Sequence, residues 1–528
     1  MPRLVVVGLI GVVVAFIGIG SLHALQLPPF WATDETAHVG YAHEVASFHL
    51  PEITTVAEVP TAAWQWESER STANDFRYRG VWVANHPPLY YMAVAPLIWY
   101  SNATGAVDGG LILMRFANVA FAAVGVVFTF LLARELTRGN DRLALLAAAL
   151  AALVPQGHAV FSQALNDGLG FAAGTAVVWA GARCLRRIDA LSRADLLLLA
   201  GTAVVAFGAR AATMLLAVLV VGVVALRALG RPACSPGQRI RRSARVGAVG
   251  LVPAVVAFGW FYARNVALYG DIGASSYLLE RFDRETRGSM LDMILRRPMW
   301  EGIYGRLMTA TTRGTNSPPG SLMVTALAAG GAVVTLVTGR LGGNGGRAGG
   351  GDGDGDGTRE ERATLRWQMA LAFATVGLIA LTIAQHASGG GNAHARYAMP
   401  AIGAAAVLVV IGAERVWSRW GPMIVVTLAG WWALLNLPVD VDPVLLRRNR
   451  DDGELAPLSL RVLPLSDGWR TAAGVLIVIG VVVAVGVMAA TLRSGDRGLP
   501  GSGMDRPEPP APDRDGELTS AGSGAERT

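Results

Sequence analysis

The chain contains no lysine; all 45 of its basic residues are arginine. Cysteine is nearly absent too, with only Cys184 and Cys234 in 528 residues. Both fall in arginine-rich connections, so no disulfide framework is implied. Charge is sparse at 16%, against roughly 25% in a soluble domain. That shortage excludes an ordinary soluble enzyme. The Gly/Asp run at 352–357 is not a calcium loop, because Ala363 stands where the loop needs a bidentate glutamate. No strand precedes the clustered glycines, so they are not a nucleotide fingerprint either. No clear internal repeat marks a transporter of the repeat-built kind.

Apolar sequence is what the chain has in quantity. It is 52% hydrophobic, with a mean hydropathy of +0.41. Apolar runs recur from end to end, and the fold class expected is an all-α polytopic integral membrane protein with about twelve spans. They are read at 4–22, 116–133, 143–161, 165–182, 196–209, 211–226, 246–263, 321–337, 367–384, 397–413, 422–437 and 471–492. No small-residue cleavage site follows the first run, so it is read as a retained helix and not as a signal peptide. The net charge of +6 is read against anionic lipid, with no nucleic acid as partner.

Orientation follows from arginine. Arg134, Arg138 and Arg142 share one loop, Arg183, Arg186, Arg187 and Arg193 a second, and Arg227 to Arg245 a third. Alternating spans put all three on one side, which the positive-inside rule makes cytoplasmic. Both termini are then expected in the cytoplasm. The membrane domain covers 1–492, with large extracytoplasmic loops at 28–112, 264–317 and 438–470. A Gly/Asp-rich cytoplasmic linker is expected at 339–366 and a disordered cytoplasmic tail at 493–528. The 264–317 loop is arginine-rich although external; long loops obey the rule poorly, and its arginines could instead bind phosphate.

The first loop opens on Pro28-Pro29-Phe30-Trp31-Ala32-Thr33-Asp34-Glu35-Thr36-Ala37-His38. If Thr33 caps a short helix, Asp34 and Glu35 fall in its first turn, where the dipole favours ionised carboxylates. Asp34 and His38 then share a face. An ionised acid at the outer mouth of a membrane protein can act as a general base; a solvated helix start fits the position as well. Asp34, Glu35 and His38 are the weak candidates for a divalent metal, and no cofactor is otherwise indicated. Further on, Met92 to Trp99 is apolar but too short to span, which fits an interfacial segment. Trp64, Trp66, Trp82 and Trp99 could stack on a sugar or anchor in the interface. Arg210 is the only charge within 196–226. It reads either as the turn of a tight hairpin or as a phosphate contact on a cavity wall.

Several pieces occur together in order: Asp34-Glu35-x-x-His38-x-x-Tyr41-Ala42; His86-Pro87-Pro88-Leu89-Tyr90-Tyr91; Arg115; Pro155-Gln156 with Asn166-Asp167; Trp260-Phe261-x-x-Arg264-Asn265; and Arg396-Tyr397-x-x-Pro400. The opening resembles the first external loop of GT-C glycosyltransferases. The ordered set is similar to a large group of bacterial membrane proteins filed as a domain of unknown function. That resemblance implies a GT-C-like core in a bacterial plasma membrane. It implies transfer of a sugar from a polyprenyl-phosphate-linked donor to a glycan, lipid or protein acceptor of the envelope, outside the membrane. Asp34 would deprotonate the acceptor, with inversion at the anomeric carbon, and Glu35 would support it. His38, His86, Arg210, Arg264, Arg396 and Tyr397 would contact substrate or its phosphate, since arginine forks suit phosphate geometry. The competing reading is a non-catalytic or transport protein for lipid-linked saccharides.

Overall fold

The computed structural model describes residues 2–27, 30, 34–57, 59, 80–105, 109–231, 235–309, 320–341, 355–435 and 468–496. Among these there are helices and no strands. The helices are α1 (Arg3–Gln26), α2 (Glu35–Ala46), α3 (Leu89–Ala103), α4 (Gly109–Leu136), α5 (Asp141–Ala152) and α6 (Pro155–Phe161). They continue with α7 (Asp167–Arg186), α8 (Arg193–Ala209), α9 (Ala211–Leu229), α10 (Pro236–Tyr269), α11 (Ser275–Arg281) and α12 (Met290–Leu295). The last are α13 (Arg297–Leu307), α14 (Ser321–Thr338), α15 (Gly355–Ser388), α16 (Ile402–Trp417), α17 (Gly421–Leu435) and α18 (Gly468–Asp496). A tight helical segment, Ala395–Ala401, leads into α16.

Nine of the described helical stretches are long and apolar enough to cross a membrane, or ten with the bent pair α5–α6. The chain is a polytopic helical membrane protein. The sequence reading counts α8 as a further span and α16 and α17 as two. In the structure α8 is 17 residues long, and 395–435 forms one apolar stretch of 41 residues.

Local chemistry sets the ends. Ser192 and Asp195 form a reciprocal cap on α8, and Ser235 and Gln238 do the same on α10. Pro155 opens α6 and holds Val154 extended, giving the 61° bend after α5. The centre of the bundle is α7, buried over nearly its whole length against α4, α8, α9 and α15. The first and last helices close the molecule. Gly11 lies against the Gly480 carbonyl, Gly18 against Ala473, and Gly8 against Val487. This antiparallel seam of small residues lets the two backbones touch, the device by which helices associate where lipid removes the hydrophobic incentive.

The linker is shorter than the sequence implies: α15 begins at Gly355, inside the stretch read as 339–366. Glu360 and Glu361 tie it down by pairing with Arg227, Arg231 and Arg138. Arg142 pairs with Glu414 at 2.8 Å. Arg231 also pairs with Asp189, and Arg186 with Glu135, so all three arginine-rich loops lie at one end of the bundle. The start of the Gly/Asp run (352–354), Thr33, Trp64, Trp66, Cys234, most of the 438–470 loop and the tail from 497 onward lie outside the described residues. The 89–103 segment is a helix with two faces. Tyr90, Tyr91, Val94 and Ile98 are buried, while Met92, Trp99 and Tyr100 are exposed.

Candidate functional site

At the end of the bundle opposite the arginine-rich loops lies a cavity of about 1190 Å³. Parts of the chain far apart in sequence build its wall: the start of α2, the 82–86 turn, the α8–α9 break, the 273–306 loop and the approach to α16. Five arginines line it: Arg210, Arg284, Arg287, Arg306 and Arg396. Of the carboxylates among the described residues, only Asp34 lines it.

Asp34 occupies the position before α2 and makes no capping bond with its side chain. Its carboxylate is ion-paired with Arg396 and accepts a hydrogen bond from Trp82 Nε1 at 3.2 Å. Burial opposes ionisation, but the Arg396 guanidinium and the indole N–H hold the carboxyl well below the usual carboxylate range. Arg396 also lies over the Tyr397 ring at 5.3 Å, and Tyr397 lines the cavity. The Asp34 wall is held from behind by loop contacts. Asn265 Nδ2 donates to the Asn85 and Ile272 carbonyls at 3.0 and 2.9 Å. Ile53 N–H donates to Tyr269 Oη at 3.0 Å, and Tyr41 Oη to the His86 carbonyl at 3.0 Å.

Arg210 stands in extended backbone between α8 and α9. It is both the helix break and a cavity residue, yet it is buried and not at a free outer surface. Its guanidinium pairs with the buried Asp167 at the start of α7. The sequence signal for Asp167 was its place beside Asn166; nothing announced it as the partner of Arg210. His86 lines the cavity.

Three expected site residues point elsewhere. Glu35 is fully buried and receives both arms of Arg115, Nε and Nη2, at 2.8 Å each, plus Ala164 N–H at 2.9 Å. Both carboxylate oxygens are taken up by structural partners, as a buried carboxylate requires. His38 lies behind the cavity wall, its Nδ1 2.7 Å from Tyr91 Oη and its ring stacked on His86. Burial pushes its pKa down to about 3, so it is neutral. Arg264 braces the first loop, with Nη2 donating to the Pro51 carbonyl at 2.9 Å. The metal candidates therefore diverge, Asp34 toward Arg396 and Glu35 toward Arg115. Among the described residues no group of three His, Cys, Asp or Glu side chains is arranged to hold a metal ion.

Sequence reasoning missed the depth of the cationic wall. It singled out the 264–317 loop as a whole, and the fold turns Arg284, Arg287 and Arg306 from it into the cavity. His386 and His394 line the same cavity. Gly390 explains how: it is in the left-handed region at φ 91°, and a Cβ there would sit 2.3 Å from the Glu285 carbonyl. The Ser388 carbonyl accepts from Arg287 N–H at 2.8 Å, so the 388–391 turn and the arginine loop are locked together.

No protein-family model matches the chain, and no curated protein matches it. Among solved structures it is similar to the crystal structure of ArnT from Cupriavidus metallidurans bound to undecaprenyl phosphate. That match has a TM-score of 0.47 at 14% identity and covers 92% of this chain and 70% of that one.

Proposed function

We propose that the chain is a membrane glycosyltransferase that moves a sugar from a polyprenyl-phosphate carrier to an acceptor on the extracytoplasmic side, with Asp34 as base. The observation that carries this reading is one carboxylate on the wall of a large, otherwise cationic cavity. The ordered motifs resembling GT-C enzymes support it, and so does the position of Asp34 directly after the first span.

The chemistry is as follows. The acceptor O–H gives its proton to Asp34 as its oxygen bonds to the anomeric carbon. The bond from that carbon to the phosphate oxygen breaks, and the electron pair leaves with the phosphate. Fixed cations stabilise the charge that develops there. In the resting pair Arg396 makes Asp34 a weak base. A phosphate that draws Arg396 to itself raises the basicity of Asp34, which couples donor binding to deprotonation.

The Asp34–Arg396 pair also favours a second reading. An acid already neutralised by an arginine suits a passive binding or transport site for a lipid-linked saccharide. Deletion of the gene, complemented by wild type or Asp34→Asn at equal expression, separates the two by mass spectrometry of envelope glycans. A glycan lost on deletion, restored by wild type and not by Asp34→Asn supports the transferase. Full restoration by Asp34→Asn overturns it in favour of transport.

A further inference from the structure

The five cavity arginines divide into two sets. Arg210 and Arg396 are each matched by a carboxylate, Asp167 and Asp34. Arg284, Arg287 and Arg306 are paired with no carboxylate among the described residues. Arg287 and Arg306 donate only to carbonyls, of Gly391 at 3.5 Å and of Ala393 at 3.2 Å, and Arg284 lies over the Phe282 ring at 4.9 Å. The set comes from one loop, and His386 and His394 line the same cavity beside it. Three like charges converging on a partly enclosed space repel one another and favour entry of an anion.

A sugar on a lipid monophosphate presents a single negative charge, which Arg396 or Arg210 can meet. The unmatched set has no counterpart in such a ligand. A sugar on a lipid diphosphate carries a second charged phosphate adjacent to the first. Arginine forks from two parts of the chain, Arg396 before α16 and the three from the 273–306 loop, suit two tetrahedral groups side by side. The cavity, about 1190 Å³, exceeds what a single sugar phosphate fills. From this we infer that the carrier is a lipid diphosphate: one phosphate on Arg396 beside Asp34, and the other on Arg284, Arg287 and Arg306. This rests on the transferase reading above and narrows its donor class.

The test is binding, and it needs no knowledge of the sugar. The purified full-length protein in detergent, with a metal chelator present, is titrated with farnesyl diphosphate, farnesyl monophosphate and inorganic diphosphate. Farnesyl diphosphate is expected to bind at least about tenfold tighter than the other two. Arg287→Gln, at an exposed position that leaves folding intact, is expected to remove most of that gap. Arg284→Gln should do the same, with monophosphate affinity nearly unchanged in both. Equal affinity for the two lipids overturns the diphosphate assignment and leaves the transferase reading standing. A gap that survives both substitutions overturns the role of the arginine set. Inorganic diphosphate binding as tightly as the lipid overturns a lipid-borne ligand. Binding of neither lipid sinks the prenyl-phosphate reading and this inference together.

Discussion

Asp34 and Glu35 are neighbours in the chain and take opposite parts. Asp34 faces the cavity with its side chain 18% exposed. Glu35 is fully enclosed against Arg115. Removing one partner of such a buried pair strands the other charge, at a cost of about 3–5 kcal/mol. Arg115→Leu or Glu35→Gln should therefore lower thermal stability sharply in detergent, while Asp34→Asn should lower it far less. Equal losses from Asp34→Asn and Glu35→Gln would refute that division. The buried histidines set a pH dependence. Burial takes His38 to about 3 and His43 to about 4, while in the unfolded chain each titrates near 6.5. Below about pH 6.5 the unfolded state binds protons that the native state refuses, so stability should fall between pH 7.5 and 5. The depressed Asp34 carboxyl has no part in that window, since its contribution is lost progressively only as pH falls below about 5, through the ordinary carboxylate range and beyond. An unfolding midpoint that stays flat from pH 7.5 to 5 would count against neutral, buried His38 and His43.

At the scale of elements, the seam between α1 and α18 is a contact exposed to single changes. A Cβ on Gly480 would lie 2.4 Å from Ala15 N and 2.6 Å from the Gly11 carbonyl. Gly480→Leu should force the two helices apart, detected as faster proteolysis between α17 and α18 in detergent and a lower midpoint. Wild-type behaviour of that variant would mean the seam adds little. Hydropathy located the long helices well, because a run of some twenty apolar residues permits one arrangement in lipid. It was weaker where the chain bends. Pro155 and the extended Arg210 interrupt helices without interrupting the apolar sequence.

At the scale of the molecule, the two ends of the bundle carry different chemistry. One gathers the arginine-rich loops with their pairs to Glu360, Glu361 and Glu414. The other holds the cavity. Both the start of α1 and the end of α18 lie at the first end, since Gly8 packs on Val487 and on Leu145, one turn from Arg142. If that end is cytoplasmic, a cysteine at the exposed Ser276, in a background free of Cys184 and Cys234, should label with an impermeant maleimide in intact cells. A cysteine at the exposed Arg193 should label only after permeabilisation. The reverse pattern would put the cavity inside and remove an extracytoplasmic acceptor from consideration.

The sequence by itself determined the membrane class and the grouping of the short arginine loops at one end, because apolar length and charge placement are properties of contiguous residues. Tertiary structure decided the partners. That Arg396 reaches Asp34 across 362 positions, that Arg264 braces a loop while Arg284 and Arg287 face the cavity, and that Glu35 is sealed by Arg115 all depend on which helix ends meet. No local pattern encodes that meeting, since it is set by packing of small residues along helices far apart in the chain.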